Sequence, residues 1–82
     1  MSTLILYSTL GCHLCELAKQ QVEPLLPAFS LTLEEVDIAN DDNLLTRYGI
    51  SIPVITIKHG LQELCWPFDE AEARAFLENN LC

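Results

Sequence analysis

The sequence has few basic residues: four Lys or Arg stand against twelve Asp or Glu in 82 residues, which gives a formal net charge of −8. Charges of this sign repel both the phosphate backbone of nucleic acids and an anionic membrane surface. Glycine and proline are also scarce, with three and four residues, while half of the chain is hydrophobic. A chain of this composition can bury a core. We therefore expect one folded domain over residues 1–82, with neither nucleic acid nor membrane as a partner.

A long hydrophobic run at the start of the sequence is missing as well. Residues 1–7 are apolar, but they carry no basic segment and are followed directly by Ser8, Thr9 and Gly11. Because signal peptides and membrane spans need longer apolar runs, we expect neither of them and a cytoplasmic location. In a reducing cytosol, a pair of cysteines is more often redox-active or metal-binding than structural.

Strand-like and helix-like segments alternate along the chain. Strand formers at residues 3–8 predict a first strand, and apolar residues spaced by three or four over residues 12–25 predict an amphipathic helix that is distorted near Pro24. The other predicted elements are a strand at 31–38, a short helix from Asn40 to Tyr48, a hairpin of strands at 53–58 and 61–66, and a terminal helix with a capping box at Asp69 and Glu72. The order β-α-β-α-β-β-α predicts an α/β domain with a four-stranded mixed sheet flanked by helices.

Cys12 and Cys15 form a Cys-x-x-Cys unit at the junction of the first strand and the first helix. The unpaired N–H groups and the positive dipole end of a helix N-terminus stabilise an anion, so Cys12 should be largely thiolate and act as the nucleophile. Cys15 lies one turn further on the same helix face, where it can resolve a mixed disulfide on Cys12. His13 has two interpretations: an imidazolium near the sulfur would favour the thiolate, whereas a ring in solvent would do little.

Metal binding is the main alternative use of these cysteines. Zinc usually takes a second Cys-x-x-Cys or His pair, and no recognisable spacing links the remaining candidates His13, His59, Cys65 and Cys82. A c-type haem motif needs His directly after Cys15, where the sequence has Glu16. We therefore expect no metal and no prosthetic group. Cys65 is expected to be a small buried residue of the hairpin.

Proline at the start of the third strand is a second candidate element of the site. A strand opening is the simpler interpretation of Ser51-Ile52-Pro53, since a strand tolerates proline there. The functional interpretation is a cis peptide bond between Ile52 and Pro53. That bond would leave the N–H and C=O of Ile52 facing the cysteines, free to pair with an extended substrate. The sequence leaves the isomer open.

These motifs together resemble a glutaredoxin-like member of the thioredoxin superfamily. The resemblance rests on Tyr7-Ser8-Thr9 before Cys12-His13-Leu14-Cys15, on the apolar helix, and on Ser51-Ile52-Pro53-Val54 before a hairpin, and it covers nearly the whole chain. It implies a thioredoxin-like (glutaredoxin-like) fold. It also implies that Cys12 is the nucleophile, Cys15 the resolving thiol, Pro53 a cis proline and Ile52 the residue whose backbone pairs with substrate.

The sequence departs from that family at the positions that bind glutathione. Glutaredoxins usually carry Cys-Pro-Tyr-Cys preceded by a Lys that binds a glutathione carboxylate, and Thr9 stands in place of that Lys. Residues 65–68 replace the Gly-Gly turn that opens the glutathione groove, which leaves Asp69 as the match to the acidic end of that motif. A chain with a net charge of −8 also offers little attraction to anionic glutathione.

We therefore predict a small monomeric thiol–disulfide oxidoreductase without a cofactor. Its partner would be a disulfide-containing protein, or glutathione as co-substrate, and an unidentified reductant would restore the dithiol. One alternative is a non-catalytic thioredoxin-fold interaction or redox-sensing module, because the fold does not decide between them. Another is a dimer that binds an iron–sulfur cluster through Cys12 and glutathione, and the missing Lys counts against it.

Overall fold

The strands form one mixed sheet. In the computed structural model, which describes residues 2–81, they are β1 (Ser2–Ser8), β2 (Leu31–Asp37), β3 (Val54–Ile57) and β4 (Glu63–Cys65). Their order in the sheet is β2-β1-β3-β4. Strand β1 runs parallel to β2 and antiparallel to β3, and β3 runs antiparallel to β4. The predicted four-stranded mixed sheet and thioredoxin-like α/β architecture are confirmed.

The helices begin and end at residues with clear local causes. They are α1 (His13–Val22), α2 (Leu25–Ala28), α3 (Asp42–Tyr48) and α4 (Glu70–Asn80). The predicted distortion near Pro24 is a break between α1 and α2, because proline has no N–H to donate to the preceding turn. The side chain of Asp41 accepts hydrogen bonds from the N–H groups of Asn43 and Leu44, and so caps the start of α3.

The second strand ends one residue earlier than predicted. Asp37 is its last residue, and a 3₁₀ turn (Ile38–Asn40) follows it. The Asp37 carboxylate accepts the N–H of Ala39 at 2.9 Å, which draws the chain out of the extended conformation.

The core has two parts because side chains of β1 alternate between the two faces of the sheet. Leu4 and Leu6 contact the larger cluster, which α1, α2 and α4 cover. Tyr7 packs on the other face against a smaller cluster of Ile38, Tyr48 and Val54. Helix α4 and its C-cap contribute two buried and two half-buried residues to the larger cluster, namely Ala73 and Leu77, and Phe76 and Leu81.

The hairpin strand β4 differs from the prediction in length and in burial. It covers Glu63–Cys65 rather than residues 61–66. The expectation that Cys65 is buried is wrong: its side chain is exposed, whereas its neighbour Leu64 packs against the core. Successive side chains of a strand point to opposite faces of the sheet, so Cys65 lies on the face opposite Leu64, and at the sheet edge that β4 forms this face is open to solvent. Within residues 2–81 no helix is both long and apolar enough to cross a membrane.

Candidate active site

A tight loop joins β1 to α1 and places Cys12 at the helix start. Gly11 has a φ of +76°, which side-chain-bearing residues rarely adopt, and the N–H of Cys12 donates to the C=O of Thr9 at 3.4 Å. A Cβ added at Gly11 would meet no atom within 4 Å, so the backbone conformation and not the available space selects glycine. Cys12 is consequently the N-cap residue of α1.

The two cysteines of the motif differ in exposure and in hydrogen bonding. The Sγ of Cys12 accepts the N–H of Cys15 at 3.1 Å, and Cys12 is half-buried. Cys15 is only 5% exposed and lies in the first turn of α1. A disulfide joins them, with their Cα atoms 5.2 Å apart. A donor N–H and the helix dipole both favour negative charge on Cys12 once that disulfide opens.

The sheet register brings the predicted proline element to the same end of the domain as the cysteines. Val54, which follows Pro53, pairs with Tyr7 near the end of β1, and Cys12 comes shortly after that strand. Asp37 pairs with Ser8 at this end, and the N–H of Trp66 donates to the C=O of Pro53 at 2.9 Å. Pro53 is fully buried, and the Ile52–Pro53 peptide bond is cis.

The expectation that both backbone groups of Ile52 face a substrate needs a correction. Its N–H donates to the C=O of Tyr48 at 3.1 Å, and that same C=O accepts the N–H of Ser51 at 2.8 Å. Both bonds belong to the turn that leaves the end of α3, a local feature that the proline motif does not reveal. Of the two groups, the C=O of Ile52 is therefore the one available to an extended substrate in this conformation. The side chain of Ile52 packs against the smaller core cluster.

Asp69 and His13 lie at the starts of two helices. Asp69 is the N-cap of α4, and its carboxylate accepts the N–H of Glu72 at 2.8 Å, which confirms the predicted cap. A role for Asp69 in substrate binding stays a prediction. His13 is exposed at the first position of α1, where it lines a shallow cavity of about 270 Å³ with Gly11, Cys12 and Glu16.

A second cavity, of about 190 Å³, opens onto both cysteines. It lies between the β1–α1 loop, α1 and the end of β2, and its charged lining residues are Glu16, Lys19, Glu35 and Asp37. The Nζ of Lys19 lies 2.6 Å from Oε1 of Glu35. The hydrogen bond and the negative charge of Glu35 raise the pKa of Lys19 above its ordinary value.

Sequence reasoning missed this cavity. Glu16 is exposed, yet it lines both cavities beside Cys12. The available signal was its position four residues after Cys12, which puts both on one helix face. No pattern in the sequence indicates that Glu35 lines this cavity, because its place there depends on how α1 lies across β2.

Among the other metal candidates, His13 lines the shallow cavity with Cys12, whereas His59 lines neither cavity beside Cys12. Cys65 lines neither cavity beside Cys12, and Cys82 lies outside the described residues. In the part of the chain from Ser2 to Leu81, no three or more His, Cys, Asp or Glu side chains form a group that could hold a metal ion.

The mixed sheet with helices on both faces, and the disulfide-bonded Cys-x-x-Cys at the start of α1, define a thioredoxin-like protein. The model of the glutaredoxin-like domain matches residues 3–78, and the chain belongs to that family. The predicted resemblance is thereby confirmed. No curated protein is similar enough to give a match.

Solved structures agree with this assignment. A structural genomics target protein from X. campestris is 36% identical in sequence to this chain. The alignment with its X-ray structure covers 93% of this chain and 96% of that protein, with a TM-score of 0.79. Its solution structure gives 35% identity, covers 96% of this chain and 95% of its own, and has a TM-score of 0.77. Oxidised thioredoxin O2 from Arabidopsis thaliana shares the fold at 15% identity and a TM-score of 0.70, covering 96% of this chain and 74% of its own.

Proposed function

We propose that the protein is a thiol–disulfide oxidoreductase in which Cys12 attacks a substrate disulfide and Cys15 resolves the product. The observation that carries this proposal is the asymmetry of the pair. The sulfur of Cys12 is the N-cap acceptor of α1 and reaches the surface, whereas Cys15 is 5% exposed. An accessible sulfur with a stabilised anion suits attack on an external disulfide, and a covered sulfur one turn away suits the internal step.

The reaction balances without any further group. The Cys12 thiolate forms a bond to one substrate sulfur, and the other substrate sulfur leaves as a thiolate that takes a proton from water. Cys15 then loses its proton and attacks the Cys12 sulfur of the mixed disulfide, which releases the second substrate thiolate. The substrate gains two electrons and two protons, and the protein gains the Cys12–Cys15 disulfide. An external thiol reductant reverses this change, so the proposal invokes no metal and no resident cofactor.

Substrate capture would use the elements beside the cysteines. The C=O of Ile52 lies next to the buried Pro53 at the active-site end of the sheet, where it can accept a hydrogen bond from an extended chain. Asp69 caps α4 and is exposed, so its carboxylate remains a candidate for a substrate contact. We further propose that the protein acts as a monomer in the cytoplasm.

The test compares Cys12→Ser with Cys15→Ser in reactions with the neutral substrate hydroxyethyl disulfide. Cys12→Ser should abolish disulfide reduction, because it removes the attacking sulfur. Cys15→Ser should accumulate the mixed disulfide on Cys12, which intact mass detects as one added substrate half. Cys65→Ser is the matched control, since this exposed cysteine lies outside both cavities beside Cys12.

Two results would count against the proposal. Equal behaviour of the two serine variants would contradict the separate roles of the cysteines. A wild-type dithiol that is alkylated at neutral pH no faster than an ordinary thiol, and that reduces no disulfide, would favour the alternative of a non-catalytic interaction or redox-sensing module.

A further inference from the structure

The charges around Cys12 are unfavourable to an anionic substrate. The cavity that opens onto both cysteines is lined by the carboxylates of Glu16, Glu35 and Asp37 and by one ammonium group, that of Lys19. Glu35 engages this ammonium group at 2.6 Å. Lys19 is the one lysine among the described residues that line this cavity, and it is already paired within the protein. The cavity therefore retains an excess of negative charge.

Among these carboxylates, Glu16 is the one that lines both cavities beside Cys12. It lines the cavity over Cys12 and Cys15 and also the shallow cavity that holds His13. Its N–H donates to the C=O of Cys12 at 3.3 Å, so it lies one helical turn above the nucleophile on the same face of α1. A substrate half that occupies either cavity while bound to the sulfur of Cys12 therefore shares that cavity with Glu16.

Apolar surface flanks the nucleophile on both sides along the chain. Leu10, two residues before Cys12, is 91% exposed, and Leu14, two residues after it, is 45% exposed. Such side chains offer contact area to a polypeptide segment around a cysteine, and little to a small charged tripeptide. The surface around the dithiol thus combines apolar contacts with negative charge.

We infer that Glu16 is a specificity-determining residue that directs this site to cationic disulfides, the substrate being a protein whose reactive cysteine is flanked by Lys or Arg. The inference rests on the proposed function and adds the charge of its substrate. A cation beside the substrate sulfur gains attraction from Glu16 in the encounter and in the mixed disulfide, whereas the carboxylates of glutathione are repelled. The chemical step is the same exchange as above.

The experiment measures rate constants for reduction of three small disulfides by the reduced protein at pH 7 and low salt. The probes are cystamine, which is cationic, hydroxyethyl disulfide, which is neutral, and oxidised glutathione, which is anionic. The proteins are the wild type, Glu16→Gln, and the control Glu23→Gln. Glu23 caps the far end of α1, about two turns or ~10 Å further along the same helix, and lines neither cavity.

Glu16→Gln should lower the rate with cystamine about threefold and raise the rate with oxidised glutathione about threefold, each relative to the neutral probe. A general change in the reactivity of Cys12 would move all three rates together, so the ratios isolate the effect of charge on the substrate. Glu23→Gln should change the ratios much less. Salt near 1 M should shrink the difference between wild type and Glu16→Gln, because the Debye length falls to about 3 Å.

The outcomes separate this inference from the proposed function. If the neutral probe is reduced but Glu16→Gln leaves the cation-to-anion ratio unchanged, or Glu23→Gln changes it equally, the role of Glu16 is wrong and the oxidoreductase stands. If none of the three disulfides is reduced, the proposed function and this inference fall together.

Discussion

The hydroxyl of Tyr48 should stabilise the sheet face that carries the loop beside the candidate active site. Tyr48 is 5% exposed, its ring stacks on Tyr7 with 4.3 Å between centroids, and its hydroxyl donates to Oε2 of Glu63. Its C=O also accepts the N–H groups of Ser51 and Ile52. The change Tyr48→Phe removes the hydroxyl and keeps the ring and these backbone bonds, so it isolates one hydrogen bond.

The size of the effect follows from the surroundings of that bond. A hydrogen bond to a charged group contributes about 1.5–3 kcal/mol to the free energy of unfolding. The Glu63 side chain is 28% exposed and lies 3.6 Å from Arg47, so water and the guanidinium partly replace the lost donor. We therefore expect a loss of about 1–2 kcal/mol. The change Tyr48→Ala also deletes the buried ring and should cost about 3–5 kcal/mol.

The pH dependence of the free energy of unfolding provides a second, independent test of this hydrogen bond. Burial, followed by the hydrogen bond and negative charge of Glu63, raises the pKa of Tyr48 above its ordinary value of 10.0. The folded protein therefore holds this proton at pH values where the unfolded chain has lost it. The stabilisation is fully present below pH 10 and is lost as the pH rises through the folded-state pKa. The gap in stability between wild type and Tyr48→Phe should consequently narrow above about pH 10.

Urea unfolding followed by circular dichroism from pH 7 to 11 measures both signatures. Tyr7→Phe is the control, because it removes a hydroxyl from the other ring of the same stack. A Tyr48→Phe variant as stable as wild type at pH 7 would refute the hydrogen-bond argument. A difference in stability between wild type and Tyr48→Phe that widens above pH 10 would contradict the predicted direction of the pH dependence.

Three further changes test other elements of the structure. Asp69→Ala should lower the free energy of unfolding by about 1 kcal/mol through loss of the α4 cap, whereas Asp69→Asn should keep the cap. Reduced disulfide turnover by Asp69→Asn at unchanged stability would then reveal a substrate contact of the carboxylate. Cys65→Ser should change the stability by less than about 0.5 kcal/mol in thermal unfolding and leave disulfide exchange unaltered, since this cysteine is exposed. Leu77→Ala should cost about 2–5 kcal/mol in urea unfolding, because Leu77 is fully buried, and a loss below 1 kcal/mol would contradict its burial.

Much of the fold was predictable because its signals are local. The period of apolar residues separates helices from strands, Pro24 interrupts α1, and Asp41 and Asp69 start helices by capping N–H groups two or three residues away. The spacing of Cys12 and Cys15 at a strand-to-helix junction likewise needs a span of only four residues. These features depend on neighbours in the chain, so the amino-acid sequence by itself determined the order of elements and the position of the dithiol.

The tertiary structure decided what depends on residues far apart. The sequence does not show that Lys19 pairs with Glu35, that Tyr48 donates to Glu63, or that the edge position of β4 exposes Cys65. Nor does the Ile52–Pro53 motif show that the N–H of Ile52 is used by the turn after α3. Each of these facts follows from how elements are placed across the sheet, because that placement sets which charges meet and which side chains lose water. The electrostatic character of the candidate site is therefore a property of the folded chain, whereas the positions of its two cysteines in the chain are a property of the sequence.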